Sequence, residues 1–149
     1  MRFELTDEQK LLKNTVREFM DREIAPLAGE YDRKYHPLPQ NIFKEFLQIL
    51  KPFGFLGGVV PEEAGGAGLS YLENGIINEE LFRAWASLGG AVSIVYGAAE
   101  TLHLRANPEQ KEMFLKPIME GELIPCSAIT ESNAGSNPRE MTTRAVSDG

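Results

Sequence analysis

Three sets along this chain, each a short hydrogen-bonding residue followed three places on by Glu or Gln, stand just ahead of apolar periodic runs. The sets are Thr6-Asp7-Glu8-Gln9, Ser70-Tyr71-Leu72-Glu73 and Asn107-Pro108-Glu109-Gln110. Each reads as a helix start: the first side chain accepts from a backbone N–H one turn on, and the Glu or Gln reaches back to the first residue's N–H. Pro108 adds a proline at the first helical position, where its missing N–H costs nothing. A chain with helix starts at both ends and in the middle is constrained to a mainly α fold.

The apolar pattern fills in the elements. Leu11, Leu12, Val16, Phe19, Met20 and Ile24 recur at three- and four-residue spacing, one apolar stripe beside a charged face. Pro26 predicts an end or kink just before it, and residues 28–39, with Gly29, Pro37 and Pro39, read as a polar connection. A second helix is predicted over Gln40 to Leu50, burying Ile42, Phe43, Phe46, Leu47 and Leu50, with Pro52 and Gly54 closing it. The apolar run Phe55 to Val60 has no helical period and leads into a glycine-rich turn, Pro61 to Ser70. A third helix runs from Ser70 to about Ala86, a fourth from Leu88 to Ala106, and a fifth follows Asn107 with Met113, Phe114 and Ile118 as its apolar side.

After Gly121 the period changes. Leu123 to Thr130 and Met141 to Val146 read as strands, with Pro125 marking an edge. Glu131 to Pro138 reads as a polar loop between them, and Asp148-Gly149 as a hairpin turn pair. The organisation expected is five helices over residues 1–120, then the opening of a β domain over 121–149. The helices should be well ordered and the last stretch mobile or held by a neighbouring chain.

Charge and composition exclude several functions. The chain has 149 residues, enough for one compact domain, and a formal net charge of −7. It has no Lys/Arg cluster of the kind that neutralises phosphates, so nucleic acid is not an expected partner. Cys126 is the single cysteine, so no intrachain disulfide is possible. The N-terminus runs from Met1 straight into a helix, with early acids and no apolar signal core, which points to a cytoplasmic protein. The longest uncharged stretch, Ala84 to Ala99, is shorter than the roughly 20 residues of a membrane span and reads as a buried helix.

Other motifs fall away on inspection. Gly66-Ala67-Gly68 begins like a dinucleotide fingerprint, but Tyr71 stands where the third glycine belongs. Ala134-Gly135-Ser136-Asn137-Pro138 lacks the second glycine of a nucleophile elbow. His36 and His103 are far apart and have no metal-ligand spacing with Cys126, so no metal site is expected. Glu62-Glu63 and Glu79-Glu80 read as exposed acids at a helix start and on a helix surface, not as an acid/base pair.

The informative stretch is Ser127-Ala128-Ile129-Thr130-Glu131-Ser132-Asn133-Ala134-Gly135-Ser136-Asn137. An extended segment ends in a hydroxyl residue and enters a loop of short side chains. Gly135 permits positive φ, and Ser136 adds a hydroxyl. Such a loop offers N–H and O–H donors to a flat polar ring or a diphosphate. Taken alone, the same residues also suit a plain Asn/Gly/Ser turn.

Four stretches in order resemble the acyl-CoA dehydrogenase family. Thr130-Glu131-x-x-Ala134-Gly135-Ser136 is similar to the family's T-E-x-x-A-G-S-D flavin loop. Val60-Pro61-Glu62-Glu63-Ala64-Gly65-Gly66-Ala67-Gly68-Leu69 is similar to its V-P-E-E-Y-G-G-A-G-L. Glu109-Gln110-Lys111 with Leu115, Pro117, Gly121 and Glu122 resembles its E-Q-K…L-P…G-E run, and Met141-Thr142-Thr143-Arg144-Ala145 its M-x-T-x-A segment. Asn137 stands in place of the family's aspartate, Ser132 in place of its proline, and Glu140 where a small residue is usual. These departures read as the loss of one loop charge and one rigid turn. The run from Asn137 to Ala145 leans toward the glutaryl-CoA dehydrogenase-like branch. Ala86 to Ser93 holds no basic residue to match the arginine that branch uses for a distal carboxylate, so no dicarboxylic substrate is assigned.

The resemblance implies a fold, a cofactor and a reaction. It implies a helical N-terminal domain and the first strands of a middle β domain, with FAD as cofactor and α,β-desaturation of an acyl-CoA thioester as the reaction. It places Ser127, Ala128, Ile129 and Thr130 at the flavin ring, with Thr130 facing the pyrimidine edge. Gly135 and Ser136 fall at the diphosphate, with Ser136 also near the acyl-CoA. No catalytic residue is implied here: the carboxylate base belongs to a later part of the family fold, Glu131 is not that base, and these 149 residues alone are expected to be inactive. An electron-transferring flavoprotein as acceptor and a homo-oligomer, dimer or tetramer, are implied for the full-length enzyme. The residues alone leave open an acyl-CoA oxidase or a non-catalytic helical interaction module.

Overall fold

The computed structural model describes residues 4–34 and 37–147. Met1 to Phe3, His36 and the Asp148-Gly149 pair lie outside the described residues. The chain is mainly helical: α1 is Asp7–Phe19, α2 Ala25–Lys34, α3 Gln40–Leu50, α4 Tyr71–Ala84, α5 Ala86–Arg105, α6 Pro108–Gln110 and α7 Lys116–Met119. A π turn, Met20–Ile24, joins α1 to α2, and a second, Lys111–Leu115, joins α6 to α7. Five helical rods therefore precede Gly121 among the described residues, as the capping signals predict.

All three capping boxes form. Thr6 Oγ1 accepts from the Gln9 N–H at 3.2 Å, Ser70 Oγ from the Glu73 N–H at 3.2 Å, and Asn107 Oδ1 from the Gln110 N–H at 2.8 Å. The return bonds to the three capping N–H groups are 2.8–3.0 Å.

Pro26 does not end the first helix, which continues to Lys34. A helical proline lacks the N–H for its one-turn bond, and its ring crowds the carbonyl four residues back. The π turn just before Pro26 widens the helix there, and the Ala25 N–H bonds the Met20 carbonyl, five residues back. The same device recurs before Pro117, where the Lys116 N–H bonds the Lys111 carbonyl. Each proline sits second in the α segment that follows a π turn.

The core lies where these rods meet. Val16, Met20 and Ile24 of the first rod join Phe43, Phe46, Leu47 and Leu50 of α3 in one buried cluster, and Phe55, Leu56 and Val60 fill in from the run after it. Ile77 and Leu81 of α4, Val92, Val95 and Ala99 of α5, and Leu115 and Ile118 complete the cluster. Leu11, Met113 and Phe114, expected on apolar faces, are instead exposed at 68%, 62% and 42%. Trp85 takes an extended conformation that separates α4 from α5, packs edge-on against Phe46 at 5.2 Å, and donates from Nε1 to Asp32 Oδ1 at 2.8 Å.

Glu80 corrects the reading of Glu79-Glu80 as surface acids. Glu79 is 61% exposed, but the Glu80 side chain is wholly buried. It is ringed by Arg17 and Arg83, with Lys13 Nζ at 3.7 Å. Burial pushes its carboxyl up, but hydrogen bonds and charge from the two arginines outweigh that and hold it below the ordinary carboxylate value.

The glycine-rich turn after Val60 folds back on the chain before it. Gly68 N–H bonds the Val60 carbonyl at 2.9 Å and Leu69 N–H the Gly58 carbonyl at 3.1 Å. A Cβ on Gly66 would overlap the Val60 carbonyl, so this approach requires glycine. The helices stop at Gly121, whose φ of 74° is left-handed, with the Glu122 N–H bonded to the Pro117 carbonyl at 2.9 Å.

Beyond Gly121 the chain is largely extended, and no strand forms among the described residues. The predicted strands, 123–130 and 141–146, do not pair with each other. A ladder needs a neighbouring backbone in hydrogen-bond reach along its length, and the helices offer none. The pairing that does occur is a single bridge, Glu131 with Ala134.

Candidate functional site

The extended segment that leaves Gly121 runs beside α5. Between them lies a cavity of about 650 Å³, lined by Ile94, Gly97, Ala98, Thr101 and Leu102 of α5, by Phe114 and Ile118, and by Leu123 to Ser127. The small residues on α5 leave this space open, and its walls are chiefly apolar. At its mouth stand Cys126 and Ser127, where the candidate cofactor segment begins.

Ser127, Ala128, Ile129 and Thr130 are all exposed, Ile129 at 61%. Among the described residues, none of their backbone N–H groups bonds to another backbone group. An exposed row of unpaired donors is what an extended segment offers to a ligand. The loop that follows is tightly closed at its start: the Glu131 N–H bonds the Ala134 carbonyl at 2.9 Å and the Ala134 N–H bonds the Glu131 carbonyl at 3.2 Å. Ala134 is 3% exposed and anchors the loop, while Gly135 and Ser136 are exposed. Gly135 does not use positive φ, and a Cβ there would meet nothing within 4 Å. What glycine leaves here is an open approach to the backbone. Hydroxyls at 127, 130 and 136, free N–H groups along 127–130 and open space at Gly135 fit a cofactor that combines a polar ring with a diphosphate.

Sequence reasoning missed how the loop is held. The Glu131 carboxylate accepts from the Thr142 N–H at 2.8 Å, the Thr142 hydroxyl at 2.9 Å and the Thr143 N–H at 2.9 Å. Hydrogen bonding from the Thr143 side chain, then from the Thr142 and Thr143 backbone and the Thr142 side chain, holds its carboxyl down at about 2. A carboxylate so acidic is a poor proton acceptor. Asn133 Nδ2 also donates to the Glu140 carbonyl at 3.0 Å.

Two departures from the family pattern meet each other. Asn137 Nδ2 donates to Glu140 Oε1 at 2.8 Å, and Asn137 Oδ1 accepts from the Arg139 N–H at 3.3 Å. The loop charge expected to be lost at Asn137 is therefore carried by Glu140 instead. Glu131 and Thr142 lie 11 positions apart on two segments that are not helical, so no local pattern forecasts their contact.

Elsewhere, no group of three or more His, Cys, Asp or Glu able to hold a metal occurs among the described residues. No helix there is long and apolar enough to cross a membrane.

The chain is similar to known proteins in sequence and in fold. The family described as Acyl-CoA dehydrogenase, N-terminal domain, matches residues 6–122. The chain is 38% identical over 153 residues to the mitochondrial isovaleryl-CoA dehydrogenase of Pongo abelii, covering 97% of this chain and 34% of that protein. Its fold is similar to the crystal structure of glutaryl-CoA dehydrogenase from Mycobacterium smegmatis, with a TM-score of 0.82 and 30% identity over 97% of this chain and 36% of that one. A glutaryl-CoA dehydrogenase from the same organism in complex with FADH2 gives a TM-score of 0.81 at 27% identity, over 97% and 36% of the two chains. The chain thus spans about a third of the length of the relatives it matches. The family match over residues 6–122, most of the chain, shows that this chain belongs to the acyl-CoA dehydrogenase family.

Proposed function

We propose that the protein acts in the FAD-dependent α,β-desaturation of an acyl-CoA thioester, and that these residues form one wall of its flavin and acyl-CoA site. The observation that carries this reading is the exposed, unpaired donor segment 127–130 at the mouth of an apolar cavity. Bound flavin would supply the hydride acceptor. Ser127, Ala128, Ile129 and Thr130 would lie along its ring, the Thr130 hydroxyl donating at the pyrimidine edge, where negative charge grows on reduction. Gly135 and Ser136 would offer backbone and hydroxyl donors to the diphosphate, and Ser136 also to the acyl-CoA. The cavity walls from Ile94 to Ile118 suit an acyl chain, which gains by leaving water.

Further parts of the reading rest on the resemblance. Residues 1–120 are the helical domain and 121–149 the start of the β domain. The working enzyme is a homo-oligomer that hands electrons to an electron-transferring flavoprotein. Its compartment follows its substrate, and the cytoplasm suits a chain with one cysteine and no disulfide.

The test is to purify the full-length protein, add FAD, and offer acyl-CoAs of several lengths with a dye as electron acceptor. Flavin uptake and dye reduction are expected. The chain of residues 1–149 alone is expected to give no turnover above free flavin, since the carboxylate base is not among its site residues. A full-length protein that takes up no flavin would overturn the reading.

A further inference from the structure

A solvated surface acid has no reason to gather donors from a segment 11 and 12 residues away, yet the Glu131 carboxylate gathers three. Its Oε2 takes the Thr142 N–H and hydroxyl, and its Oε1 takes the Thr143 N–H. The two extended segments on either side of the loop share no backbone ladder. Among the described residues, the returning chain is tied back to the loop by this carboxylate, by Asn133 Nδ2 on the Glu140 carbonyl, by Asn137 Nδ2 on Glu140 Oε1, and by the short turn bonds around Pro138. Of these ties, the three bonds to Glu131 and the one to the Glu140 carboxylate involve a charge on one side, and those to Glu131 reach farthest along the returning chain, to Thr142 and Thr143. Such bonds are shorter and roughly twice as strong as neutral ones.

We propose that Glu131 is a positioning residue for the cofactor loop: its carboxylate grips the backbone of Thr142 and Thr143 and so fixes the course of the chain that carries Gly135 and Ser136. The proposal rests on the reading of that loop as a flavin site. The residue before Glu131 is Thr130, so one side chain ties the ring-facing segment to the returning chain. Closing the excursion at both ends restricts the loop before any ligand arrives, and a ligand that meets a preformed loop does not meet the cost of ordering it. With its carboxyl held down at about 2 by these bonds, Glu131 is ionised at neutral pH and so carries the charge that strengthens them. Glu131 then acts on cofactor affinity through the backbone of other residues and takes no proton in the reaction.

The experiment compares the full-length protein with Glu131→Gln and Glu131→Ala by amide hydrogen exchange, FAD titration and thermal unfolding of the apoprotein. The Thr142 and Thr143 amides should exchange slowly in the unsubstituted protein and much faster in Glu131→Ala. FAD affinity should fall about tenfold in Glu131→Ala. Glu131→Gln, which keeps one carbonyl acceptor, should recover part of both effects. The unfolding midpoint should stay put, because the loop lies outside the helical core. Equal exchange in the unsubstituted protein and Glu131→Ala would overturn the clamp. Faster exchange with unchanged FAD affinity would overturn the positioning role. If the unsubstituted protein takes up no FAD, the flavin reading itself fails and the positioning role with it, while the exchange data still report separately on the clamp.

Discussion

Arg17 grips the buried carboxylate of Glu80 at two points: Nε to Oε2 at 3.0 Å and Nη2 to Oε1 at 2.9 Å. The bond joins α1 to α4 across 63 residues of sequence. Arg83 adds a third bond at 2.8 Å and reaches on to Asp21 at 2.7 Å. A buried charge costs desolvation and is tolerated only when its oxygens are fully used.

Glu80→Gln is therefore expected to destabilise the fold by about 1–3 kcal/mol, because a neutral amide leaves Arg17 without its counter-charge and Arg83 with Asp21 alone. The Glu80 carboxyl is held below its ordinary value, so its contribution is full above the unfolded value of 4.5 and is lost as pH falls from there through the folded value. The gap between Glu80→Gln and the unsubstituted protein should thus narrow in acid. Denaturant titrations at neutral pH and at about pH 3 measure both effects.

Gly66→Ala tests the close approach in the glycine-rich turn. A methyl there would overlap the Val60 carbonyl, and Val60 is 1% exposed in the core. Overpacking of this kind costs about 1–3 kcal/mol. Gly75→Ala, on α4 with nothing within 4 Å of the added Cβ, should instead be neutral or stabilising by up to about 1 kcal/mol. Thermal unfolding of the pair should separate a packing constraint from a general dislike of alanine.

Asn137→Asp would restore the family's usual residue and set a carboxylate against Glu140 Oε1, now 2.8 Å from the Asn137 amide. FAD affinity is expected to fall about threefold at low salt and to recover as salt screens the pair. Adding Glu140→Ala should also restore it. Flavin titrations across a range of salt concentrations check this.

Thr130→Val keeps the side-chain shape and removes the hydroxyl. If that hydroxyl donates to the flavin ring, binding weakens by about 0.5–1.5 kcal/mol and the visible flavin spectrum shifts. Spectral titration with FAD reads both, and an unchanged spectrum and affinity would remove Thr130 from the site.

The sequence by itself determined the helices and their starts. Thr6 with Gln9, Ser70 with Glu73 and Asn107 with Gln110 are each closed within one turn, so the information lies within four residues. The stripe through Val16, Met20 and Ile24 was legible for the same reason, since helical period alone puts those residues on one side. Exposed Met113 and Phe114 show the limit: period marks a face, but what covers it is decided elsewhere. Only the tertiary structure decided that Glu80 is buried, because its partner Arg17 is 63 residues away. It also carried helix through Pro26 by a π turn, left the predicted strands unpaired, and turned Glu131 inward onto Thr142 and Thr143. For Glu80 and Glu131 the deciding group comes from a distant segment that the local pattern cannot see. A residue's short-range preferences are written beside it in the chain, whereas its partner in space is set by how the whole chain packs.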